Sequence, residues 1–222
     1  FGNRRFRNYS NFCLTSKDSK FINGGDPVPT LGEFATIPKR KRGSELPRPS
    51  RALDRVHLDI VYGDGIGRLG YRYALLFVDR ATRYIWVYGL KSLHAEAIIS
   101  AFSAFRAEAG GLAVQFRTDC DSKLLSQAVV KWLRDHGSDI ASSPAGRQSS
   151  NGLVERQWRS MLEMARSYLT EKQMPRAFWL SAIQHAARMM NCIPGKVGNL
   201  LTTPFELIHH SPPDSRVWFP LF

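Results

Sequence analysis

The sequence predicts an α/β domain in the order three strands, helix, strand, helix, strand and further helices, preceded by an extended basic arm. Alternating apolar residues and segments rich in aromatic and β-branched residues fill the first part of the domain, which is typical of strands. Apolar residues at intervals of three and four follow, which indicates amphipathic helices. The first 52 residues show neither pattern and are rich in proline, glycine and charge, which favours an extended arm.

The charge of the chain is strongly positive and unevenly distributed. Lys and Arg total 31 against 19 Asp and Glu, which gives a net charge of +12. Residues 1–55 contain 12 basic and 5 acidic side chains. A basic domain with a more basic arm favours a polyanionic partner, although a charge that serves solubility gives the same composition. Within the arm, the basic run at 39–42 fits a nuclear-localisation or DNA-backbone patch and a solvated linker equally well.

Cysteine spacing and hydropathy argue against a disulfide-rich, zinc-binding, secreted or membrane-spanning protein. Cys13, Cys120 and Cys192 are far apart and form no CxxC pair, so neither a disulfide framework nor a Cys-based zinc site is expected. The first ten residues contain no apolar signal-peptide core, and no run approaches the roughly 20 apolar residues of a membrane span. We therefore expect an intracellular protein that has no membrane partner.

The first strand carries an acidic residue at its centre. Val56, Leu58 and Ile60 alternate with polar or smaller residues, which is strand periodicity. Asp59 therefore lies mid-strand, on the face opposite to these three apolar side chains.

The next segments predict a hairpin and a helix. Both 71–78 and 84–88 are aromatic and β-branched, and the short DRATR link between them indicates an antiparallel pair. Apolar residues at helical spacing predict a helix from about Leu93 to Ala107, which the two glycines at 110–111 end.

A second acidic residue follows the fourth strand. The segment 114–117 is a short predicted strand, and Asp119 sits just past its end. Ser122 is a candidate N-cap for the next helix, which Gly137 closes, and 138–141 is the fifth predicted strand.

The last part of the domain is predicted to be helical. Residues 142–152 are small and polar and predict a loop. A long helix begins near Asn151, a second helix opens at Pro175, and the chain is expected to be irregular after Pro194. His209 and His210 fall in that expected polar tail, so we assign them no metal role.

Three carboxylates satisfy the requirements of a magnesium site. Hard oxygen ligands suit Mg²⁺, and nucleic-acid enzymes that use two metals supply them as Asp and Glu. Asp59 is mid-strand, Asp119 is at a strand end, and Glu155 lies near the start of a helix that is entered from the loop. Taken singly, each has an ordinary explanation: a solvated strand residue, a turn or cap residue, and a helix-surface ion pair with Arg159.

The spacing of these residues resembles the D,D-35-E arrangement of retroviral and retrotransposon integrases, because 35 residues separate Asp119 from Glu155. The segments HLDIVYG, YALLFVDRATRYIWVYGL, RTD, NGLVER and TTPFE look most like the copia-type retrotransposon branch. This resemblance implies an RNase H-like fold, with a central mixed five-stranded sheet flanked by helices, and a metal-binding triad of Asp59, Asp119 and Glu155. It also implies two Mg²⁺ or Mn²⁺ ions, DNA 3′-end processing and strand transfer, action on element and target DNA in the nucleus, and a homo-oligomer.

The chain departs from the family pattern in one position that affects the site. Family members often have Asn-Gly after the second Asp, whereas this chain has Cys120 and Asp121, so Asp121 is a rival for the second ligand. No His/Cys zinc module or carboxy-terminal DNA-binding domain is recognisable. We therefore expect a central part of a larger polyprotein product, divided into an arm at 1–52, a catalytic core at 53–192 and an extension at 193–222.

Candidate DNA contacts flank the predicted triad. Lys123 lies near Asp119, and the loop and helix around Glu155 contribute Gln148, Asn151, Arg156 and Arg159. Such side chains meet phosphates and give binding that weakens with salt, although each could also be an ordinary solvated group.

Two other classes of function remain open at this point. An RNase H-type nuclease or a transposase could use the same triad, and cleavage of RNA in a hybrid would distinguish the nuclease from a DNA-joining enzyme. A catalytically inactive, domesticated DNA-binding module could retain the fold without the reaction.

Overall fold

A computed structural model describes residues 51–63, 65–119, 122–142, 152–197 and 200–214. At 152–155, 196–197 and 200 it describes the backbone without the side chain. The predicted arm with its basic run at 39–42 therefore lies outside the described residues, apart from Arg51 and Ala52. Asp121, Gln148 and Asn151 also lie outside them. Within the described ranges, no helix combines the length and the apolar character that crossing a membrane requires.

A five-stranded mixed sheet forms the centre of the domain, as predicted. Its strands are β1 (Arg55–Tyr62), β2 (Tyr73–Asp79), β3 (Ile85–Leu90), β4 (Gln115–Thr118) and β5 (Asp139–Ser142). The spatial order is β3-β2-β1-β4-β5. β1, β2 and β3 form an antiparallel meander, whereas β4 runs parallel to β1 and β5 runs parallel to β4.

Helices flank this sheet on both sides. They are α1 (Ala95–Ala109), α2 (Gln127–Asp135), α3 (Gly152–Glu171), α4 (Trp179–Cys192) and the short α5 (Pro204–His209). A single 3-10 turn, Arg176–Phe178, precedes α4. It occupies the position at which the sequence predicted the second helix of this pair to open.

Two hydrophobic cores form, one on each face of the sheet. Val56, Leu58 and Ile60 of β1 face the first core, which α1 and α2 cover. Val61 of β1 faces the second core together with residues of β2, β3, α3 and α4. The predicted alternation of β1 is therefore confirmed, and Asp59 belongs to the α3–α4 side of the sheet.

The α3–α4 layer covers only part of its face. The strand residues in the second core come from β1, β2 and β3. On the same side, Gln115 and Arg117 of β4 and Ala141 of β5 are partly exposed. This leaves an open shelf, formed by the α3–α4 side of β4 and β5, beside the helices.

Buried polar side chains fix the hairpin between β2 and β3. Asp79 is fully buried, and its carboxylate accepts hydrogen bonds from the backbone N–H groups of Leu53 (3.0 Å) and Thr82 (2.7 Å) and from the Thr82 hydroxyl (2.7 Å). Burial raises the pKa of the Asp79 carboxyl, and these hydrogen bonds partly oppose that shift. Asn191 of α4 bonds both the N–H and the C=O of Ile85, each at 2.8 Å, so α4 is tied to the start of β3.

The start of α2 differs from the prediction. The residue before α2 is Ser126, not Ser122, and residues 122–125 form turns. Leu124 explains the difference, because its side chain is fully buried in the first core and a helix beginning at Ser122 would change its direction.

The prediction of irregular chain beyond Pro194 is wrong. A two-stranded antiparallel hairpin, β6 (Gly195–Val197) with β7 (Leu200–Thr202), precedes α5. Thr203 and Glu206 form a capping box at the start of α5, in which the Glu206 N–H donates to Thr203 Oγ1 at 3.0 Å. His209 therefore lies on a helix, with Nε2 3.4 Å from the Tyr84 hydroxyl, and not in a polar tail.

Packing at the end of β1 yields a stability prediction. A Cβ atom at Gly63 would lie 2.6 Å from Cε2 of Trp179, whose side chain is fully buried. We expect Gly63→Ala to lower the free energy of unfolding by about 1–3 kcal/mol, since a rigid indole cannot move without disturbing the second core. Urea denaturation measures this change. The control is Gly111→Ala, where a Cβ meets nothing within 4 Å; an equal loss in both variants would contradict the packing argument.

Candidate metal centre and nucleic-acid interface

The pairing of β1 with β4 brings two of the three predicted carboxylates together. The last paired residues of these parallel strands are Leu58 and Thr118, and Asp59 and Asp119 follow directly. Neighbouring strands lie about 4.8 Å apart, so the backbones at the two aspartates are adjacent although 60 positions separate them in the sequence. Asp119 stands just past the end of β4, where the sequence predicted it.

Both aspartates are accessible to a ligand. Side-chain alternation puts Asp59 on the α3–α4 side of β1, and Asp119 lies in the bend directly after β4. The Asp59 side chain is partly buried and the Asp119 side chain is exposed. Asp59 Oδ1 accepts a hydrogen bond from the backbone N–H of Ile60 at 2.9 Å, which restricts the orientation of that carboxylate.

For Glu155, the third predicted carboxylate, the structure describes the backbone and not the side chain. Glu155 is the fourth residue of α3, in the first turn of the helix. Further along α3, Met161 and Ala165 are fully buried in the second core with Val61 of β1, so the helix packs on the sheet face to which Asp59 belongs. The Glu155 side chain lies outside the described atoms, as does the rival ligand Asp121. Among the side chains that are described, no group of three or more His, Cys, Asp and Glu residues gathers at one point.

The donor chemistry of this site fits a divalent cation. Two adjacent aspartates offer the hard, anionic oxygens that Mg²⁺ and Mn²⁺ prefer. Asp59 lies on a strand that is hydrogen-bonded on both sides, so its backbone is held rigidly. Asp59 and Asp119 could therefore hold a cation, with further ligands from α3, water or substrate.

The candidate DNA contacts that are described lie on the protein surface. Lys123 is exposed; its Nζ donates to the Tyr62 hydroxyl at 3.2 Å and lies 5.8 Å from the centre of the Tyr62 ring. Arg156 and Arg159 are exposed on α3, and neither forms an ion pair with a described side chain. Tyr62, three residues after Asp59, was not singled out from the sequence.

Two further basic residues on the sheet escaped the sequence analysis. Arg55 of β1 and Arg117 of β4 lie on the same side of the sheet as the aspartates, and each Nε donates to Oε1 of Gln115 at 3.3 Å. Even spacing within each strand, from Arg55 to Asp59 and from Arg117 to Asp119, could have indicated a shared face.

A known protein family matches the part of the chain that contains the two aspartates. Residues 49–148 match the family model described as integrase core domain, a span that contains both Asp59 and Asp119. Over these residues the chain therefore contains an integrase core domain. The family match ends before Glu155, which belongs to the part of the chain covered by individual relatives.

Those relatives are polyproteins of plant retrotransposons. The chain is 31% identical over 147 residues to the retrovirus-related Pol polyprotein from transposon TNT 1-94 of Nicotiana tabacum, across 62% of this chain and 11% of that protein. It is 26% identical over 206 residues to the Pol polyprotein from transposon RE2 of Arabidopsis thaliana, across 90% of this chain and 13% of the relative. The integrase core thus spans roughly a tenth of the length of these polyproteins.

Solved structures agree in fold. A chain of the simian T-cell lymphotropic virus intasome in complex with PP2A regulatory subunit B56 gamma matches with a TM-score of 0.62 and 18% identity, over 78% of this chain and 59% of that chain. The trimeric form of the HTLV-2 integrase catalytic core domain in complex with magnesium matches with a TM-score of 0.55 and 19% identity, over 76% of this chain and 100% of the other. The RNase H-like fold of integrase catalytic cores is therefore confirmed for this chain.

Cation binding at the paired aspartates is testable by thermal unfolding. We expect Mg²⁺ or Mn²⁺ to raise the melting temperature, because a ligand that binds the folded state at ten times its Kd stabilises it by about 1.4 kcal/mol. Asp119→Asn should abolish this increase, and Asp139→Asn, which removes an exposed carboxylate from β5, should leave it intact. Equal responses of the two variants would place the cation elsewhere.

Proposed function

We propose that this chain is the catalytic core of a retrotransposon integrase that trims the 3′ ends of element DNA and joins them to host DNA. The observation that carries the proposal is the placement of Asp59 beside Asp119 on neighbouring parallel strands, on the sheet face against which α3 packs. Glu155, in the first turn of α3, is proposed as the third carboxylate. The proposal requires its side chain to reach the two aspartates.

Both steps replace one P–O bond at a phosphate with another. In end trimming, a water oxygen attacks the phosphorus that links the retained strand to the terminal nucleotide. The 3′ oxygen of the retained element strand leaves as a 3′-hydroxyl, and the released nucleotide carries the 5′-phosphate. In strand transfer, the 3′-hydroxyl of element DNA attacks a target phosphate, one P–O bond forms, another breaks, and no ATP is needed. The three carboxylates would bind two Mg²⁺ or Mn²⁺ ions, whose Lewis acidity activates the attacking oxygen and stabilises the leaving oxygen.

The protein contributes position and charge. Asp59 belongs to a rigid strand, and its carboxylate orientation is restricted by the Ile60 N–H, so the ligand set changes little during the reaction. Asp119 is exposed at the end of β4, where a DNA strand can approach without displacing the core. In-line attack requires both reacting oxygens to be held near one phosphate, which is a positional task.

DNA binding is proposed to rest on phosphate contacts. Lys123, Arg156 and Arg159 are exposed near the site, and Gln148 and Asn151 belong to the segment that leads into α3. The net charge of +12 favours the same partner. Such contacts give affinity that falls steeply with salt and carries little sequence preference.

The cellular setting of this activity is also a proposal. The action requires nuclear DNA, and the basic run at 39–42 is a candidate import signal. Homo-oligomer formation is supported by the trimeric and dimeric forms of the HTLV-2 core domain.

The proposed division of the chain is an arm at 1–52, a catalytic core at 53–192 and an extension at 193–222. Phe205 and Ile208 of the extension pack against the first hydrophobic core.

Strand transfer provides the decisive assay. Donor-end DNA, a target duplex and Mg²⁺ should yield a joined product with the wild-type protein. Asp119→Asn and Glu155→Gln should each lower the rate by about 100-fold or more, because each removes charge that the transition state needs. Asp121→Asn serves as the matched control, and we expect it to retain activity.

The other outcomes distinguish the alternatives. Activity that survives Asp119→Asn but is lost in Asp121→Asn would transfer the second ligand to Asp121. Cleavage of RNA in a hybrid without DNA joining would favour an RNase H-type nuclease. DNA binding without any product, from this chain and from a longer chain that includes its flanks, would identify an inactive DNA-binding module.

A further inference from the structure

Two arginines on the neighbouring strands β1 and β4, one of them on the open shelf, are not used by the proposed reaction. Arg55 and Arg117 stand on adjacent strands, and each donates through Nε to the same oxygen of Gln115 at 3.3 Å. Both side chains are partly buried, and neither forms an ion pair with a described residue. Asp139, the nearest acidic residue on β5, pairs instead with Arg134 at 3.9 Å.

This arrangement leaves positive charge without a matching anion. Each guanidinium has five N–H donors, whereas the Gln115 amide supplies one neutral acceptor for the two of them. Partial burial, with a smaller contribution from the charge of Arg55, lowers the pKa of Arg117. The two cations are therefore close enough to repel each other, and an anion between them would relieve that repulsion.

Arg55 and Arg117 lie on β1 and β4, the same two strands that position Asp59 and Asp119. Arg117 precedes Asp119, which directly follows β4, by two residues, and two residues of extended chain span about 6.6 Å. Successive phosphates along one DNA strand have a comparable spacing. A strand whose reacting phosphate lies at Asp59 and Asp119 would bring a neighbouring phosphate over the shelf.

We propose that Arg55, Gln115 and Arg117 bind a DNA backbone phosphate adjacent to the phosphate that reacts at Asp59 and Asp119. The placement of the reacting phosphate rests on the proposed function. Arginine is suited to this role because its planar fork donates two parallel hydrogen bonds to phosphate oxygens. Gln115 holds the two forks side by side, so it acts as a positioning residue.

The first test measures the salt dependence of DNA binding without a divalent cation, so that no reaction occurs. Each phosphate contact contributes about one to the slope of log Kd against log salt. We expect R55Q/R117Q to reduce the slope by about one, because both arginines contact the same phosphate, and R55K/R117K, which keeps both charges, to retain most of it. The control R106Q/K131Q removes two exposed charges from α1 and α2, and should leave the slope unchanged. Equal slopes for R55Q/R117Q and this control would overturn the proposal.

The second test locates the phosphate. Neutral methylphosphonates are placed singly on each side of the reacting phosphate, in donor-end DNA in one series and in target DNA in the other. The substitution adjacent to the reacting phosphate should weaken wild-type binding on the order of tenfold and have no further effect in R55Q/R117Q. The series in which the substitution weakens binding shows whether the contacted phosphate belongs to donor-end DNA or to target DNA. Loss at a distant position, or equal loss in both proteins, would overturn the placement.

The two tests separate this inference from the proposed function. If the wild-type protein forms no strand-transfer product but the slope still falls in R55Q/R117Q, the arginines bind phosphate and the reaction assignment fails. If product forms and the slope does not change, the reaction stands and the phosphate site is wrong.

Discussion

The parallel pairing of β1 with β4 is the constraint on which the candidate site depends. It places Leu58 opposite Thr118, and therefore makes neighbours of the two aspartates that follow them. The two cores hold this register, because a slip of one residue would turn Leu58 and Ile60 out of the first core. The geometry of the candidate site is thus secured by hydrophobic side chains that are not themselves part of the site.

The unequal covering of the sheet leaves the candidate site open on one side. The helices α3 and α4 pack over β1, β2 and β3, and their buried side chains anchor the helix that carries Glu155. The strands β4 and β5 remain open on that side, so a charged polymer can approach the aspartates along the sheet. The same opening explains why Arg55 and Arg117 retain accessible guanidinium groups within a folded sheet.

Local sequence patterns predicted much of the fold, but they did not predict which contacts form between neighbouring strands. Period-two alternation correctly placed Asp59 on the face opposite to Val56 and Leu58, because side-chain direction in a strand is a local property. The spacing around Gln115 did not reveal the arginine pair, since that contact depends on which strands are neighbours. The start of α2 was misplaced because burial of Leu124 in the core outweighed the capping preference of a serine. Beyond Pro194, strands of three residues are too short to show periodicity.

The central claim is that three side chains remote in the chain share divalent cations, and a crystal structure with Mn²⁺ tests it most directly. Anomalous scattering would locate the ion independently of the surrounding protein. The account predicts Mn²⁺ within roughly 2.0–2.5 Å of oxygens from Asp59, Asp119 and Glu155. An ordered Glu155 carboxylate more than about 10 Å from the two aspartates, with Mn²⁺ bound elsewhere, would contradict it.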